Sequence, residues 1–359
     1  MEVEKMKKKF MSVLLAGAML FSLAAGCAKK ADSKKIGVAM PTKDLQRWNQ
    51  DGDNMKKKLE AAGFTVDLQY ASNDIPTQQN QIENMINGGC KVLVIASIDG
   101  DSLGTVLATA KEKNIPVIAY DRLIMNTDAV AYYATFDNYK VGQIQGEYIR
   151  DQLKLDSTDG PYNIEVFTGD PGDNNARFFY NGAVEVLKPY IEAGKLQVKS
   201  GKYDFETAAT ASWSTENAQT RMEAIISGNY SDGTKLDAVL CSNDSTALGV
   251  TNALEAAGWT AENMPIITGQ DCDIANVKNM LAGKQSMSVF KDTRTLADQV
   301  VEMVKALMEG KTAPTNDDKT YDNGVKVVPS YLCTPVFVDI SNYKEYLITS
   351  GYYKESDLA

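Results

Sequence analysis

The sequence predicts an α/β protein of two doubly wound parallel-sheet lobes. Three observations carry this reading: short apolar runs alternate with helical stretches from Lys35 onward, the rhythm restarts after Asp137, and 359 residues at 44% apolar content suffice for about two cores. The first run, Lys35–Met40, is apolar almost throughout, as a strand covered on both faces must be. A helix over 44–62 follows and stops at Gly63. Strand 64–70 alternates through Val66 and Leu68, and a helix over 76–87 sets Ile82, Met85 and Ile86 on one face before Gly88 and Gly89. Strand 92–95, helix 102–113 and strands 115–120 and 130–136 complete the first unit. The second unit runs helix 139–153, strand 162–167, helix 175–193, strand 196–203, helix 215–227, strand 236–240, helix 245–257, strand 265–268, helix 274–281 and strand 285–290. A helix over 295–309, a polar loop over 311–323 and apolar segments 325–328 and 335–338 finish the body.

The first 26 residues read as an export signal. Lys5, Lys7, Lys8 and Lys9 precede an apolar run over 10–23 that is too short to span a bilayer comfortably, and Ala24, Ala25 and Gly26 then lead into Cys27. This stretch resembles a bacterial lipobox, in which the cysteine is acylated and becomes the mature N-terminus, although the usual leucine sits one place early at Leu23. Residues 27–35 then form a tether, and the folded body is extracytoplasmic and lipid-anchored to the cell membrane. An ordinary secretory signal with an incidental cysteine is the alternative. Four further cysteines, Cys90, Cys241, Cys272 and Cys333, lack CxxC spacing and are expected as buried free thiols, with a Cys241–Cys272 bridge the less favoured option.

Composition removes several classes of function. The net charge is −10 and basic residues gather only at the N-terminus, which argues against nucleic acid as a partner. Histidine is absent, so Ser-His-Asp and Cys-His catalysis and histidine metal sites are excluded.

In open α/β sheets ligands bind beyond the carboxyl ends of the strands. Read through that filter, the sequence places Arg47, Trp48, Asp121 and Arg122 on the rim of the first unit, and Asn174, Asn175, Trp213, Asn243, Asp271 and Lys291 on that of the second. Asp and Asn there also serve as helix N-caps, and a lone Trp is more often core. Their convergence points to a pyranose, whose hydroxyls exchange hydrogen bonds around the edge while its C–H faces lie against aromatic rings. An amino acid would call instead for an Arg/Asp pair at opposite ends.

These residues, with Gln81-Ile-Glu-Asn-Met-Ile-Asn87, Phe136-Asp-Asn138, Ser242-Asn-Asp244, Gly269-Gln-Asp271 and Val328-Pro-Ser330, resemble the periplasmic monosaccharide-binding proteins of bacterial ABC importers, xylose-binding and broad-specificity aldose-binding types above all. The resemblance implies the type I periplasmic binding fold, with a three-strand hinge joining an N-terminal lobe (36–136 plus 291–336) to a C-terminal lobe (137–290 plus 337–359). It implies a sugar ring stacked between Trp48 and Trp213 and held by the eight polar residues above, no enzymatic activity, no cofactor, a permease as partner and a monomeric state. The calcium loop of galactose binders is not apparent, so no metal is expected. Pro41-Thr42-Lys43 departs from the xylose binders, while Phe178-Phe179 follows Arg177 as in the broader aldose binders, which leaves xylose, glucose, galactose and arabinose open.

Rival readings are a sugar sensor for a signalling kinase and a surface-anchored glycosidase using Asp121, Asp173 and Asp271. The latter needs a carboxylic acid with a raised pKa, whereas Arg and Lys on the rim are expected to keep these carboxylates low. A sugar-responsive repressor is excluded by the export signal.

Overall fold

The computed structural model describes residues 34–359. The expected leader, Cys27 and most of the tether lie outside them. Strands β1 (Lys35–Met40), β2 (Thr65–Tyr70), β3 (Val92–Ile95), β4 (Val117–Tyr120) and β5 (Val130–Phe136) alternate with helices α1 (Gln46–Ala61), α2 (Ile75–Asn87) and α3 (Gly104–Glu112). There follow α4 (Asn138–Gln152), β6 (Tyr162–Phe167), α5 (Asn174–Glu192), β7 (Leu196–Gln197), α6 (Thr215–Ile225), β8 (Ala238–Cys241), α7 (Asp244–Ala256), β9 (Ile266–Ile267), α8 (Ile274–Leu281) and β10 (Met287–Phe290). The chain ends through α9 (Thr293–Met308), β11 (Ser330–Cys333) and β12 (Val336–Asp339).

The first sheet is parallel throughout, in the order β11-β5-β4-β3-β1-β2. Because β1 is covered on both faces, its residues divide by parity. Ile36, Val38 and Met40 pack with Met55 and Leu59 of α1 and with Leu296 and Val300 of α9, while Ala39 joins Ile82 and Met85 of α2 and Leu107 of α3. The second parallel sheet, β7-β6-β8-β9, is sandwiched between α6 and α7 on one side and α4 and α5 on the other. It continues through a bridge from Gln270 to Val289 into the antiparallel pair β10-β12. Helices α4 and α5 approach closely because Gly142 and Gly182 lie at their contact: a Cβ on Gly142 would come 1.9 Å from the Phe179 carbonyl oxygen, and one on Gly182 2.1 Å from that of Tyr139.

The chain therefore passes between the sheets three times, after β5, after β10 and after β11. One segment departs from expectation. The strand over 196–203 ends at Gln197, because Ser200 turns its backbone N–H and hydroxyl onto the buried Glu165 carboxylate and Gly201 adopts φ 67. The apolar segment 325–328 is not a strand. Val325 and Val327 are exposed, and the edge of the first sheet is β11, two residues further on. Cys90, Cys241, Cys272 and Cys333 are buried free thiols, so the Cys241–Cys272 bridge is not formed.

Candidate functional site

A small cavity lies between the two sheets at their strand ends, and nine of the ten residues expected at the rim line it. Arg47, Trp48, Asp121 and Arg122 reach it from the first sheet's side. Asn175, Trp213, Asn243 and Asp271 come from the other, with Lys291 at the second crossing. Trp48 and Trp213 are 2% and 4% exposed, and both line the cavity. Asn174 does not line it. Asp173 is the N-cap of α5, and the helical advance of about 100° per residue carries Asn174 off the face that Asn175 presents.

Local backbone explains the placement. Asp121, Trp213 and Asp271 are non-glycine residues with φ of 58°, 55° and 98°, a left-handed conformation that costs of order 1–3 kcal/mol each and persists only where surroundings enforce it. At Asp121 the enforcement is visible: its carbonyl accepts from Tyr133 Oη, Thr135 Oγ1 and, from across the cavity, Asn175 Nδ2. Trp213 rests on Gly169, where a Cβ would stand 2.0 Å from the indole. Asp173 and Asn243 keep their capping duties while lining the cavity, through Asn175 N on Asp173 Oδ1 and Thr246 N on Asn243 Oδ1. The capping and binding readings of these residues are thus compatible.

Charge is paired with economy. The Arg47 guanidinium meets Asp51 at 3.0 Å, Asp121 at 3.1 Å and Asp271 at 3.2 Å, while Lys291 holds the same Asp271 oxygen at 3.1 Å. Arg122 pairs with Asp173 at 2.9 Å and donates to the carbonyls of Ser97 and Ile98. Both guanidinium groups also lie near the Trp48 ring, at 4.8 and 5.0 Å from its centroid. Burial alone would raise Asp121, but Arg47, then Lys291 and Arg122, outweigh it and hold the carboxyl below its ordinary range. Asp173 departs from the expectation of low values: burial pushes it up, and Arg122 only partly offsets this. Asp51, wholly buried beneath Arg47 and hydrogen-bonded by Tyr120, is pushed up to about 6 by burial.

Among the lining residues, two buried polar atoms stay unmatched. Arg47 Nη2 and Gln270 Oε1 are buried, have no hydrogen-bond partner, and belong to residues that line the cavity. A buried donor or acceptor left so costs about 1–3 kcal/mol, which a ligand hydroxyl would recover. Leu45, Asp173, Phe179 and Gln270 line the cavity too: Asp173 and Gln270 stand at the predicted rim without being expected as ligand contacts, and Leu45 and Phe179 are absent from the expectation. Phe179 was findable, since it stands one helical turn after Asn175 on α5. No cluster of three or more metal-ligating side chains occurs among the described residues.

The model of the periplasmic binding protein domain matches residues 36–312. The chain is 51% identical to the multiple sugar-binding periplasmic receptor ChvE of Rhizobium radiobacter, over 98% of this chain and 99% of that one. It is 38% identical to the D-xylose-binding periplasmic protein of Escherichia coli, over 98% and 100%. A solved solute-binding protein of an ABC transporter from Clostridium phytofermentans, with bound β-D-glucose, superposes with a TM-score of 0.89 at 71% identity, covering 91% of this chain and all of that one. These relatives are receptors rather than enzymes. With its two parallel sheets, three crossings and shared cavity, the chain belongs to the periplasmic binding protein family, among its sugar-binding receptors.

Proposed function

We propose that this protein captures an aldopyranose, glucose or xylose foremost, between its lobes and delivers it to an ABC transporter permease. The observation that carries the reading is the pair of unmatched atoms, Arg47 Nη2 and Gln270 Oε1, on a cavity walled by Trp48 and Trp213. One is a donor and the other an acceptor, as sugar hydroxyls require, and the tryptophan rings suit the C–H faces of a pyranose. The β-D-glucose bound by the Clostridium phytofermentans protein and the sugars named for the other relatives support the same class.

Lobes of 36–136 plus 291–336 and 137–290 plus 337–359 close by rotation at the three crossings. The arrangement described here is the closed one. Arg47 to Asp271, Arg122 to Asp173, Asn175 to the Asp121 carbonyl, and Gly100 N–H to the Gly172 carbonyl at 3.1 Å all tie one side to the other. Acylation at Cys27 would keep the monomeric receptor beside its permease. Delivery rather than sensing is favoured by the ABC solute-binding relative.

Titration calorimetry with glucose, xylose, galactose and arabinose tests the binding. At least one is expected to bind at micromolar level or tighter, roughly −8 kcal/mol, well within the ceiling for a dozen heavy atoms. No heat at millimolar sugar would end the proposal. Substitution Cys27→Ala is expected to move the protein from the membrane to the soluble fraction.

A further inference from the structure

A second cleft adjoins the sugar cavity and shares with it the wall formed by Leu45, Arg122 and Trp213. Its far side is built from both lobes: Asn73, Ile75 and Asp99 from one, Asp170 and Ser212 from the other. Its chemistry repeats that of the first cavity. The apolar part is Leu45, Ile75, Ile98 and the outer face of Trp213. The polar part is uncommitted: among the described residues, Asp99 Oδ2, the side-chain amide of Asn73 and Ser212 Oγ make no hydrogen bond, and neither Asp99 nor Asp170 has a cationic partner.

The two carboxylates face one another across the gap between lobes, since a Cβ on Gly172 would lie 2.8 Å from Asp99 Oδ2 and 3.0 Å from Asp170 Oδ1. Only backbone N–H groups hold them, Asp101 N on Asp99, and Gly172 N and Ser212 N on Asp170. Asn73 and Ser212 are also non-glycine residues at positive φ, 56° each, so backbone strain is concentrated on this wall as it is at Asp121 and Asp271. Carboxylate acceptors without a cation repel an anionic group and accept hydrogen bonds from neutral hydroxyls.

We infer that this cleft is a second subsite, which takes the next sugar residue of a neutral disaccharide whose first ring occupies the cavity between Trp48 and Trp213. The inference rests on the sugar-binding reading above. The linkage would pass between Leu45, Arg122 and Trp213, so the outer face of Trp213 would flank the second ring, with Asp99 and Asp170 accepting from its hydroxyls.

The test is calorimetry of the full chain with glucose, cellobiose, maltose and xylobiose, with native mass spectrometry to verify that the intact disaccharide, not a released monosaccharide, is retained. At least one disaccharide is expected to bind within about tenfold of glucose. Ile75→Trp, which fills the cleft from outside the first cavity, is expected to weaken that disaccharide at least tenfold and leave glucose unchanged, and Asp99→Asn to weaken it several-fold with glucose again unchanged. Glucose binding with no disaccharide binding would make the cleft a mere entrance, overturning this inference while leaving the sugar-binding reading intact. Disaccharide binding that neither variant weakens would place the second ring elsewhere, overturning it too. Failure of every sugar to bind removes both readings.

Discussion

The indole Nε1 of Trp213 donates to Asp173 Oδ2 at 3.2 Å, the same oxygen that Arg122 Nε holds at 2.9 Å. One carboxylate from the start of α5 therefore fixes an aromatic wall of its own lobe and a cation of the opposite lobe. The orientation of Trp213 and the ion pair to Arg122 are coupled through a single residue, itself drawn to the cavity by its capping bond to Asn175.

Trp213→Phe keeps an aromatic face but removes that donor. Glucose affinity is expected to fall roughly tenfold or more, because hydrogen bonds to charged groups contribute about 1.5–3 kcal/mol. Asp173→Asn, which removes the Arg122 ion pair as well, is expected to cost more than the Phe variant in the same titration. An equal or smaller loss would show that the pairing across the cavity carries no affinity.

Gly169→Ala tests the wall from behind. The new methyl would stand 2.0 Å from the Trp213 ring, so the indole must shift into the cavity or the loop must move. Overpacking of this kind costs about 1–3 kcal/mol. Affinity is expected to drop without any change in a lining side chain, and the near-ultraviolet circular dichroism of the tryptophans should change with it. An unchanged spectrum with intact binding would rule out the close contact.

Arg47→Met would leave Asp51, Asp121 and Asp271 without their shared cation. Breaking a buried ion pair by removing one partner costs about 3–5 kcal/mol, so the urea midpoint should fall markedly and sugar binding should be lost. Arg47→Lys retains the charge but not the fork that spans three carboxylates, and an intermediate midpoint is expected.

Acid and base act on two carboxyls in opposite senses. Burial pushes Asp273 above its ordinary value, with Asp271 raising it further and Arg47 and Lys291 pulling back. Its contribution to stability is full below the unfolded value of about 4 and is lost as pH rises through the higher folded one. Asp121, held low against its burial by Arg47, Lys291 and Arg122, contributes above about pH 4, and that contribution disappears as acid protonates it. Asp273→Asn loses no capping bond, as the Asp273 side chain makes none at α8. The variant is expected to melt a few degrees higher than its parent at pH 8 and to show a flatter dependence between pH 4 and 8. Parallel profiles would exclude Asp273 as the source of that slope.

Much of the site was legible because parallel α/β sheets leave few places for a ligand. Once the strands of residues 117–120, 162–167, 238–241 and 266–267 are recognised by their apolar runs, the polar residues just beyond them must share an edge, and Asp121, Asn175, Asn243 and Asp271 do so. One residue of register separates expectation from structure at the start of α5, where Asp173, expected on the rim but not as a ligand contact, lines the cavity in place of Asn174. The reading erred where a tertiary partner overrode local pattern, as when Glu165 drew Ser200 out of the strand. Nothing in the sequence marks Asp51 as the buried support of Arg47, since an acidic residue four places on reads equally well as a surface pair.

Apolar periodicity and the order of polar residues determined the fold class, the restart into a second sheet and the composition of the rim, because those follow from which side chains must leave water. Tertiary structure alone decided which carboxylate each cation meets, which of two neighbouring asparagines faces inward, and that Leu45, Arg122 and Trp213 stand as a wall between two clefts. Hydrogen bonds and ion pairs act over about 3 Å, and that distance between residues as far apart as Arg47 and Asp271 is set by how the two sheets come together.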